Sequence, residues 1–277
     1  MDVVDLRIPA GQPIAARPAS GPGSPFPQAG FSVWLCRVEW REPVTLEPSS
    51  AAAEQILYVV EGIGSVQQAS GSAVLEPHKV YRPFPSPSLT LQREGAAPLV
   101  LLCLSSEAEP LARGPQEAHL GEMAGTRFPA RRWGRSISNG GSPIRTRGFT
   151  AGLSILEPGG GQVPWHHHPD GQREVYLFFG GRPQMCVGGE VGVLQPPAAV
   201  CIPGDRWHQL TNLDPARPLP MVYCYEGETA APHWWQERDG VLPRAGEGTN
   251  PPLPAGAFPQ CTLTDAEEWR GLAAALF

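Results

Sequence analysis

The chain has 277 residues, a formal net charge of −6 and a pI near 5.7. An acidic surface repels phosphate backbones, and no basic cluster occurs beyond Arg131, Arg132 and Arg135, so we expect no nucleic-acid partner. The length predicts two modest domains rather than one, and no apolar run reaches the 18 residues of a membrane-spanning helix.

Residues 1–30 are rich in proline, glycine and alanine and are predicted to form an extended arm. Acids at Asp2 and Asp5 and several prolines interrupt the apolar stretch that a signal peptide needs, so we expect a cytoplasmic protein with no membrane partner. The six cysteines occur singly, without a C-x-x-C pair, which favours buried reduced thiols.

Short β-rich runs such as "QILYVVEG", "EVYLFF" and "PMVYCYEG" alternate with glycine and proline, a pattern typical of an all-β protein. We predict a first barrel over residues 31–120, a second over 121–235, and a surface wrap with one short helix over 236–277. Thr264 and Glu267 have the spacing of a helix capping box. Because "EQILYVVEG" and "REVYLFFGG" resemble each other, the two barrels are interpreted as a duplication.

Three consecutive histidines precede the strand that begins at Glu174. Side chains on a strand alternate between faces, so His166 and His168 point to one side and His167 to the other. Inside a small barrel, the first two could meet on one ion together with Glu174, and His208 on a distant strand could supply a fourth ligand. The sequence therefore predicts a metal centre in the second half.

The frame around these residues resembles the two signature motifs of the cupin superfamily, whose metal is bound by His, His, Glu and His. Gly160, His166, His168, Glu174 and Gly181 match the first motif, and Pro203, His208 and Asn212 match the second. The gap from His168 to Glu174 is longer than usual, and Asp205 stands where the motif has glycine, with Gly204 one place early. The resemblance implies two tandem jelly-roll barrels.

Within the cupins, "SILEPGGGQVPWHHHPDGQREVYLFF" is similar to the KduI/IolB family of uronate isomerases, whose N-terminal barrel is degenerate. The resemblance implies a single metal site formed by His166, His168, Glu174 and His208. The corresponding places in the first half hold Pro48, Ser50 and Ser88, which are not metal ligands. We interpret the first barrel as a scaffold or as one wall of the pocket.

Several further residues are candidates for catalysis or substrate binding. Tyr176 and Phe178 share the face of Glu174 by alternation, and Glu226 ends a strand in the same half and could act as a base. His233 could line the barrel mouth. A substrate carboxylate could be held by an inward arginine among Arg135, Arg145 and Arg147. The predicted catalytic set is Glu174, Tyr176, Glu226 and His233, and His78 and His119 are expected at the surface.

Three imidazoles and a carboxylate suit one divalent ion, with zinc as the first expectation and manganese, iron, cobalt or nickel as alternatives. The first hypothesis is an isomerase that interconverts aldose and ketose forms of a uronate-like, anionic sugar acid through an enediolate. The alternatives are a ferrous cupin dioxygenase and a non-catalytic sugar-binding cupin. We expect a homodimer or a higher homo-oligomer.

Overall fold

A computed structural model describes residues 1–8, 14–20, 30–46, 54–83, 88–111, 116–123, 125–128, 130, 132–168, 171–228, 234–235 and 262–264. The described residues form 23 β-strands and one short 3-10 helix at Leu120–Glu122. The strands are β1 (Asp2–Asp5), β2 (Ile14–Ser20), β3 (Phe31–Val38), β4 (Val44–Leu46), β5 (Glu54–Glu61), β6 (Gly64–Gln68), β7 (Gly71–Leu75), β8 (Lys79–Arg82), β9 (Leu89–Arg93), β10 (Leu99–Ser106), β11 (Gln116–His119), β12 (Gly125–Phe128), β13 (Arg132–Ser136), β14 (Phe149–Leu156), β15 (Gln162–His167), β16 (Glu174–Phe178), β17 (Pro183–Val187), β18 (Glu190–Val193), β19 (Ala198–Ile202), β20 (His208–Asn212), β21 (Leu219–Glu226), β22 (Trp234–Trp235) and β23 (Thr262–Thr264).

Each half of the chain builds one barrel from two antiparallel sheets. The first barrel pairs a six-stranded sheet, in the order β11-β8-β5-β10-β3-β2, with a four-stranded sheet, β4-β9-β6-β7. The second pairs an eight-stranded sheet, β1-β19-β16-β21-β14-β13-β12-β23, with a five-stranded sheet, β18-β17-β20-β15-β22. The prediction of two tandem all-β barrels is confirmed.

The predicted arm contributes one strand to each barrel: β1 pairs with β19 of the second barrel, and β2 pairs with β3 of the first. At the other end, β23 adds to the second barrel by pairing with β12. The predicted C-terminal helix lies outside the described residues, apart from Thr264 at the end of β23. No helix among the described residues is long and apolar enough to cross a membrane.

The central strands are apolar on both faces because the two barrels pack against each other. In β5, Leu57 and Val59 belong to the apolar interior of the first barrel, whereas Ile56, Tyr58 and Val60 pack in the cluster shared by both barrels. The second barrel has its own interior cluster, which includes Tyr176 and Phe178 as predicted from alternation. The five described cysteines are buried and form no disulfides among themselves, as expected.

Glu54 and Glu174 begin equivalent strands but face opposite ways. Glu54 shares the face of Ile56 and Tyr58, at the junction between the barrels. Its carboxylate accepts hydrogen bonds from the backbone N–H of Arg147, at 2.9 Å from each oxygen, and of Gly148 at 3.0 Å. The first barrel therefore uses this carboxylate to hold the segment that leads into β14 of the second barrel.

Candidate metal centre

The four predicted ligands converge inside the second barrel. His166, His168, Glu174 and His208 are each at most 3 % exposed, and their ligand atoms all lie within 4.8 Å of one another. They come from the end of β15, the start of β16 and the start of β20, and His166 lies directly opposite His208 in the sheet. His167 is half-buried on the other face, 4.7 Å from the Trp207 ring, as alternation predicts.

Backbone carbonyls orient two of the imidazoles. The Nδ1 atom of His166 lies 2.7 Å from the oxygen of Pro164, and that of His208 lies 2.8 Å from the oxygen of Arg206. A carbonyl can only accept, so each Nδ1 carries the proton and donates it, and in the neutral ring the Nε2 lone pair is left for a metal. Both side chains are thereby fixed as Nε2 ligands.

The inward nitrogens meet the carboxylate of Glu174. Its Oε2 lies 3.0 Å from Nε2 of His168 and 3.1 Å from Nε2 of His208. Metal–ligand bonds of about 2.1 Å place neighbouring ligand atoms about 3.0–3.4 Å apart. A neutral His208 would aim a lone pair at the carboxylate oxygen, and a cation between the two atoms removes that repulsion. The donor set and its spacing therefore fit a divalent metal ion.

The charge of Glu174 is compatible with this site although the side chain is buried. Burial alone would raise its pKa, but the neighbouring imidazoles of His168 and His208 outweigh that effect and lower the pKa to about 2. The carboxylate is thus ionised at neutral pH. An ionised carboxylate beside three imidazoles gives a mixed oxygen and nitrogen site suited to zinc, manganese, iron, cobalt or nickel.

In the loop before β20, Asp205 occupies the position where the second cupin motif has glycine, and Gly204 precedes it. Asp205 takes the left-handed conformation that favours glycine, with φ 61°, and its N–H donates to the oxygen of His168 at 3.2 Å. A Cβ on Gly204 would lie 2.2 Å from the backbone of Gly171, so only glycine allows these loops to touch. These contacts hold His168 and Gly171 against the loop before β20.

Aromatic side chains form a wall beside the four ligands. The His168 ring stacks with His208 at 5.6 Å on one side and with Tyr225 at 5.8 Å on the other, and Tyr225 stacks on Tyr223 at 6.0 Å. Tyr176 meets the His208 ring edge-on at 5.8 Å. Burial first, and then the charge of Glu174, raise the pKa of Tyr176 well above its usual range, so it stays protonated.

One predicted site residue, Glu226, does not face the ligands. Glu226 follows Tyr225 in β21, so its side chain lies on the opposite face, where it pairs with Arg173 at 2.9 Å and accepts the N–H of Gly30 at 2.6 Å. A carboxylate held in this ion pair has no access to the metal centre, so the role of base does not suit it. His233 lies outside the described residues.

The three arginines proposed for a substrate carboxylate also lie elsewhere. Arg135 faces the junction between the barrels, where it donates to the carbonyl of Leu120. Arg145 is exposed and donates to Gly140, and Arg147 is exposed beside Glu228. The inward arginine of this region is Arg132, which pairs across the sheet with Leu156 of the interior cluster. The sequence analysis predicted neither Arg132 nor Tyr223 as a site residue. For Tyr223 a signal exists, because alternation along β21 places Tyr223 and Tyr225 on the face opposite to Glu226, which is the face towards the ligands.

Residues 152–225 match the family model described as "Cupin domain". The matched stretch contains all four predicted metal ligands, so the sequence match and the geometry of the site agree. The match does not reach the first barrel, whose interior is filled by apolar side chains and a buried cysteine pair, Cys36 and Cys103. Within the part of the chain that the structure describes, the second barrel holds the one cluster of metal-ligating side chains.

Solved structures in the cupin superfamily share the two-barrel fold. YlbA from Escherichia coli aligns with a TM-score of 0.61 at 12 % identity, over 83 % of this chain and 89 % of that one. A mutant of oxalate decarboxylase from Bacillus subtilis aligns with a TM-score of 0.62 at 13 % identity, over 83 % and 78 %. AerE from Microcystis aeruginosa gives 0.57 at 13 % identity, over 76 % and 96 %.

At these identities the similarity concerns the fold alone. A search of the curated proteins gives no significant match for the sequence. The similarity to the uronate isomerases stays a prediction. The match to the cupin model and the buried group of three histidines and one glutamate support a candidate metal site in the second barrel.

Proposed function

We propose that the protein is a metal-dependent isomerase that interconverts aldose and ketose forms of a small sugar acid through an enediolate. The observation that carries the proposal is the buried cluster of His166, His168, Glu174 and His208 beside Tyr176, whose ring lies edge-on at 5.8 Å from that of His208. An aldose–ketose exchange moves one proton between carbons and another between oxygens. A protonated phenol and an ionised carboxylate in the same site are suited to both transfers.

His166, His168, Glu174 and His208 would hold the ion. A divalent ion bound there supplies Lewis acidity, which acidifies the proton next to the carbonyl of a chelated hydroxy-carbonyl substrate. Four protein ligands leave further coordination positions for the two substrate oxygens. The imidazoles of His166 and His208 contribute by position, since their Nδ1–H groups donate to backbone carbonyls that keep the rings fixed.

Tyr176 and Glu174 divide the proton transfers in this proposal. Glu174 is the ionised carboxylate of the site and, in this proposal, would accept the carbon-bound proton. Tyr176 keeps its own proton at neutral pH and donates it to the substrate oxygen as the charge there develops. The stacked rings of Tyr223 and Tyr225 exclude bulk water from one side of the site.

The proposal is tested by NMR-monitored deuterium exchange into D-glucuronate and other uronates in D₂O, with metal content measured on the same samples. We expect label at the carbon next to the carbonyl, with and without oxygen. Tyr176→Phe should retain its metal and lose about 10²–10⁴-fold in exchange rate. The matched control is Tyr81→Phe in the first barrel, whose hydroxyl donates to Gln68 at 3.0 Å.

Two outcomes would contradict the isomerase. Absence of label in every uronate, together with rapid oxygen uptake by the iron-loaded protein, would favour the dioxygenase instead. Equal exchange rates in Tyr176→Phe and wild type would remove the tyrosine from the mechanism. Because both variants retain the four ligands, a loss of metal in either one would reveal misfolding rather than chemistry.

A further inference from the structure

The two barrels begin with similar sequence motifs that meet at the junction. Residues 30–35 are GFSVWL and residues 148–153 are GFTAGL. Phe31 begins β3 and Phe149 begins β14, and both side chains belong to the apolar cluster shared by the barrels, with ring centroids 6.4 Å apart. The chain therefore enters both barrels at the junction, one entry beside the other.

Each barrel binds the entering glycine of the other through a carboxylate. Glu54 of the first barrel accepts the N–H of Gly148 at 3.0 Å, and Glu226 of the second barrel accepts the N–H of Gly30 at 2.6 Å. A carboxylate is a strong acceptor for a backbone N–H, so both contacts hold the entering chain in place. We call this pair of exchanged contacts the carboxylate clasp.

In the second barrel the clasp also holds the residue immediately before a metal ligand. Arg173 precedes Glu174, and it donates to the Glu226 carboxylate from Nη1 at 2.9 Å and from its backbone N–H at 3.4 Å. Its carbonyl accepts the backbone N–H of Glu226 at 3.2 Å. The Oε1 atom of Glu226 accepts from Arg173 and from Gly30 together. One carboxylate oxygen therefore joins the first barrel to the strand of Glu174.

The metal ligands on both sides of this contact tolerate little displacement. The Oε2 atom of Glu174 lies 3.0 Å from Nε2 of His168, and the ligand atoms of a metal site must stay within about 0.5 Å of their productive positions. A shift of the backbone at Arg173 carries Glu174 with it. His168 is affected as well, because its ring stacks at 5.8 Å on Tyr225, the residue before Glu226.

We propose that Glu226 is a positioning residue that couples the junction between the barrels to the metal centre. Through the clasp, the first barrel holds the residue before Glu174 in the place that metal binding requires. The inference rests on the metal centre of the proposed function and not on the isomerase reaction. It gives the first barrel, whose described residues include no cluster of metal ligands, a part in metal binding.

The test is isothermal titration calorimetry of Mn²⁺ and of Zn²⁺ binding to the metal-free protein. Loss of a group that orients a ligand typically weakens metal binding 10–100-fold, and because Glu226 acts through Arg173 we expect about 10-fold for Glu226→Ala. Glu226→Gln should fall between Glu226→Ala and wild type, because its amide oxygen still accepts the N–H of Gly30 while the ion pair is lost. The matched control, Glu228→Ala, removes an exposed carboxylate two residues later and should bind both ions as wild type does.

A substitution in the first barrel tests the coupling without changing any charge. A Cβ on Gly30 would lie 3.3 Å from Oε1 of Glu226, so Gly30→Ala displaces that carboxylate by a few tenths of an ångström. We expect Gly30→Ala to weaken metal binding in the second barrel several-fold. The matched control is Gly95→Ala, also in the first barrel, where the Cβ would meet the side chain of Ile63 at 3.4 Å and metal binding should not change.

The visible absorption spectrum of bound Co²⁺ gives a second, independent readout, because it reports the geometry of the coordinating atoms. The spectrum should differ from wild type in Glu226→Ala and in Gly30→Ala, and it should be unchanged in Glu228→Ala and in Gly95→Ala. A merely structural Glu226 would lower the thermal midpoint of the metal-free protein and leave both the affinity and the spectrum unchanged, which would refute the coupling.

Two further results would overturn the coupling: wild-type metal affinity in both Glu226→Gln and Gly30→Ala, or a loss in Glu228→Ala as large as that in Glu226→Ala. Absence of Mn²⁺ and Zn²⁺ binding in wild type would refute the metal centre and the coupling together. The coupling and the isomerase otherwise fail separately. Clasp-dependent metal binding without deuterium exchange would refute the isomerase and retain the coupling. Deuterium exchange with wild-type metal affinity in Glu226→Ala would refute the coupling and retain the isomerase.

Discussion

Metal binding should stabilise the protein through His168 and not through its neighbour His167. The two residues are adjacent in sequence, but His168 is 2 % exposed with Nε2 at 3.0 Å from Glu174, whereas His167 lies on the other face against Trp207. The test uses two variants, His168→Ala and His167→Ala. For each variant and for wild type, the thermal midpoint is measured after a chelator has removed the metal and again after addition of Zn²⁺ or Mn²⁺.

The expected shift follows from linkage. A ligand at 100 times its Kd stabilises the folded state by about 2.7 kcal/mol. With an unfolding entropy of about 2.1 cal/mol/K per residue, this raises the midpoint by about 5 °C if all 277 residues unfold together. If the second barrel unfolds alone, with roughly 110 residues, the shift is about 12 °C. Wild type and His167→Ala should show a shift between these values.

His168→Ala removes one of four ligands. If its affinity for the ion falls 100-fold, the same metal concentration stabilises it by only about 0.4 kcal/mol, or less than about 2 °C. Differential scanning calorimetry of the chelated and metal-loaded samples measures the difference directly. The reasoning is refuted if wild type shows no shift with any divalent ion, or if His167→Ala loses the shift as completely as His168→Ala does.

Two further predictions concern the junction between the barrels. Glu54→Ala leaves the N–H groups of Arg147 and Gly148 without an acceptor and should lower the free energy of unfolding, measured in urea, by about 2–4 kcal/mol. The control Glu61→Ala removes an exposed carboxylate and should stay within about 0.5 kcal/mol of wild type. Similar small losses in both variants would contradict the role of Glu54. His78, expected at the surface, is instead partly buried beside Tyr58 at 3.1 Å, and burial first, with the charges of His119 and Arg135, lowers its pKa to about 4. Below about pH 6.5 the unfolded chain gains a proton that the folded chain resists, so stability should fall between pH 6.5 and 4. His78→Asn, which tolerates the φ of 69°, should show a smaller difference in urea midpoint between pH 7 and pH 5, and an unchanged difference would show that His78 is not responsible.

The sequence alone was sufficient for the all-β fold, the two barrels and the four residues of the metal centre. These features depend on local rules: breakers bound the strands, and strict alternation separates His167 from His166 and His168. Alternation also placed Tyr176 and Phe178 on the inner face beside Glu174. Apart from His208, which the second cupin motif supplied, such signals are contained within a few consecutive residues, so they can be interpreted without knowing which strands pair.

Only the tertiary structure decided which side chains other than the ligands face the site. Arg132 and Arg135 are three positions apart and lie on opposite faces, and the register of β13 against β14 determines that Arg132 is the inner one. Glu54 and Glu174 begin equivalent strands, yet Glu54 faces the neighbouring barrel. The face that a side chain occupies is local, but what that face packs against depends on strands distant in sequence, so it is fixed only when the two barrels assemble.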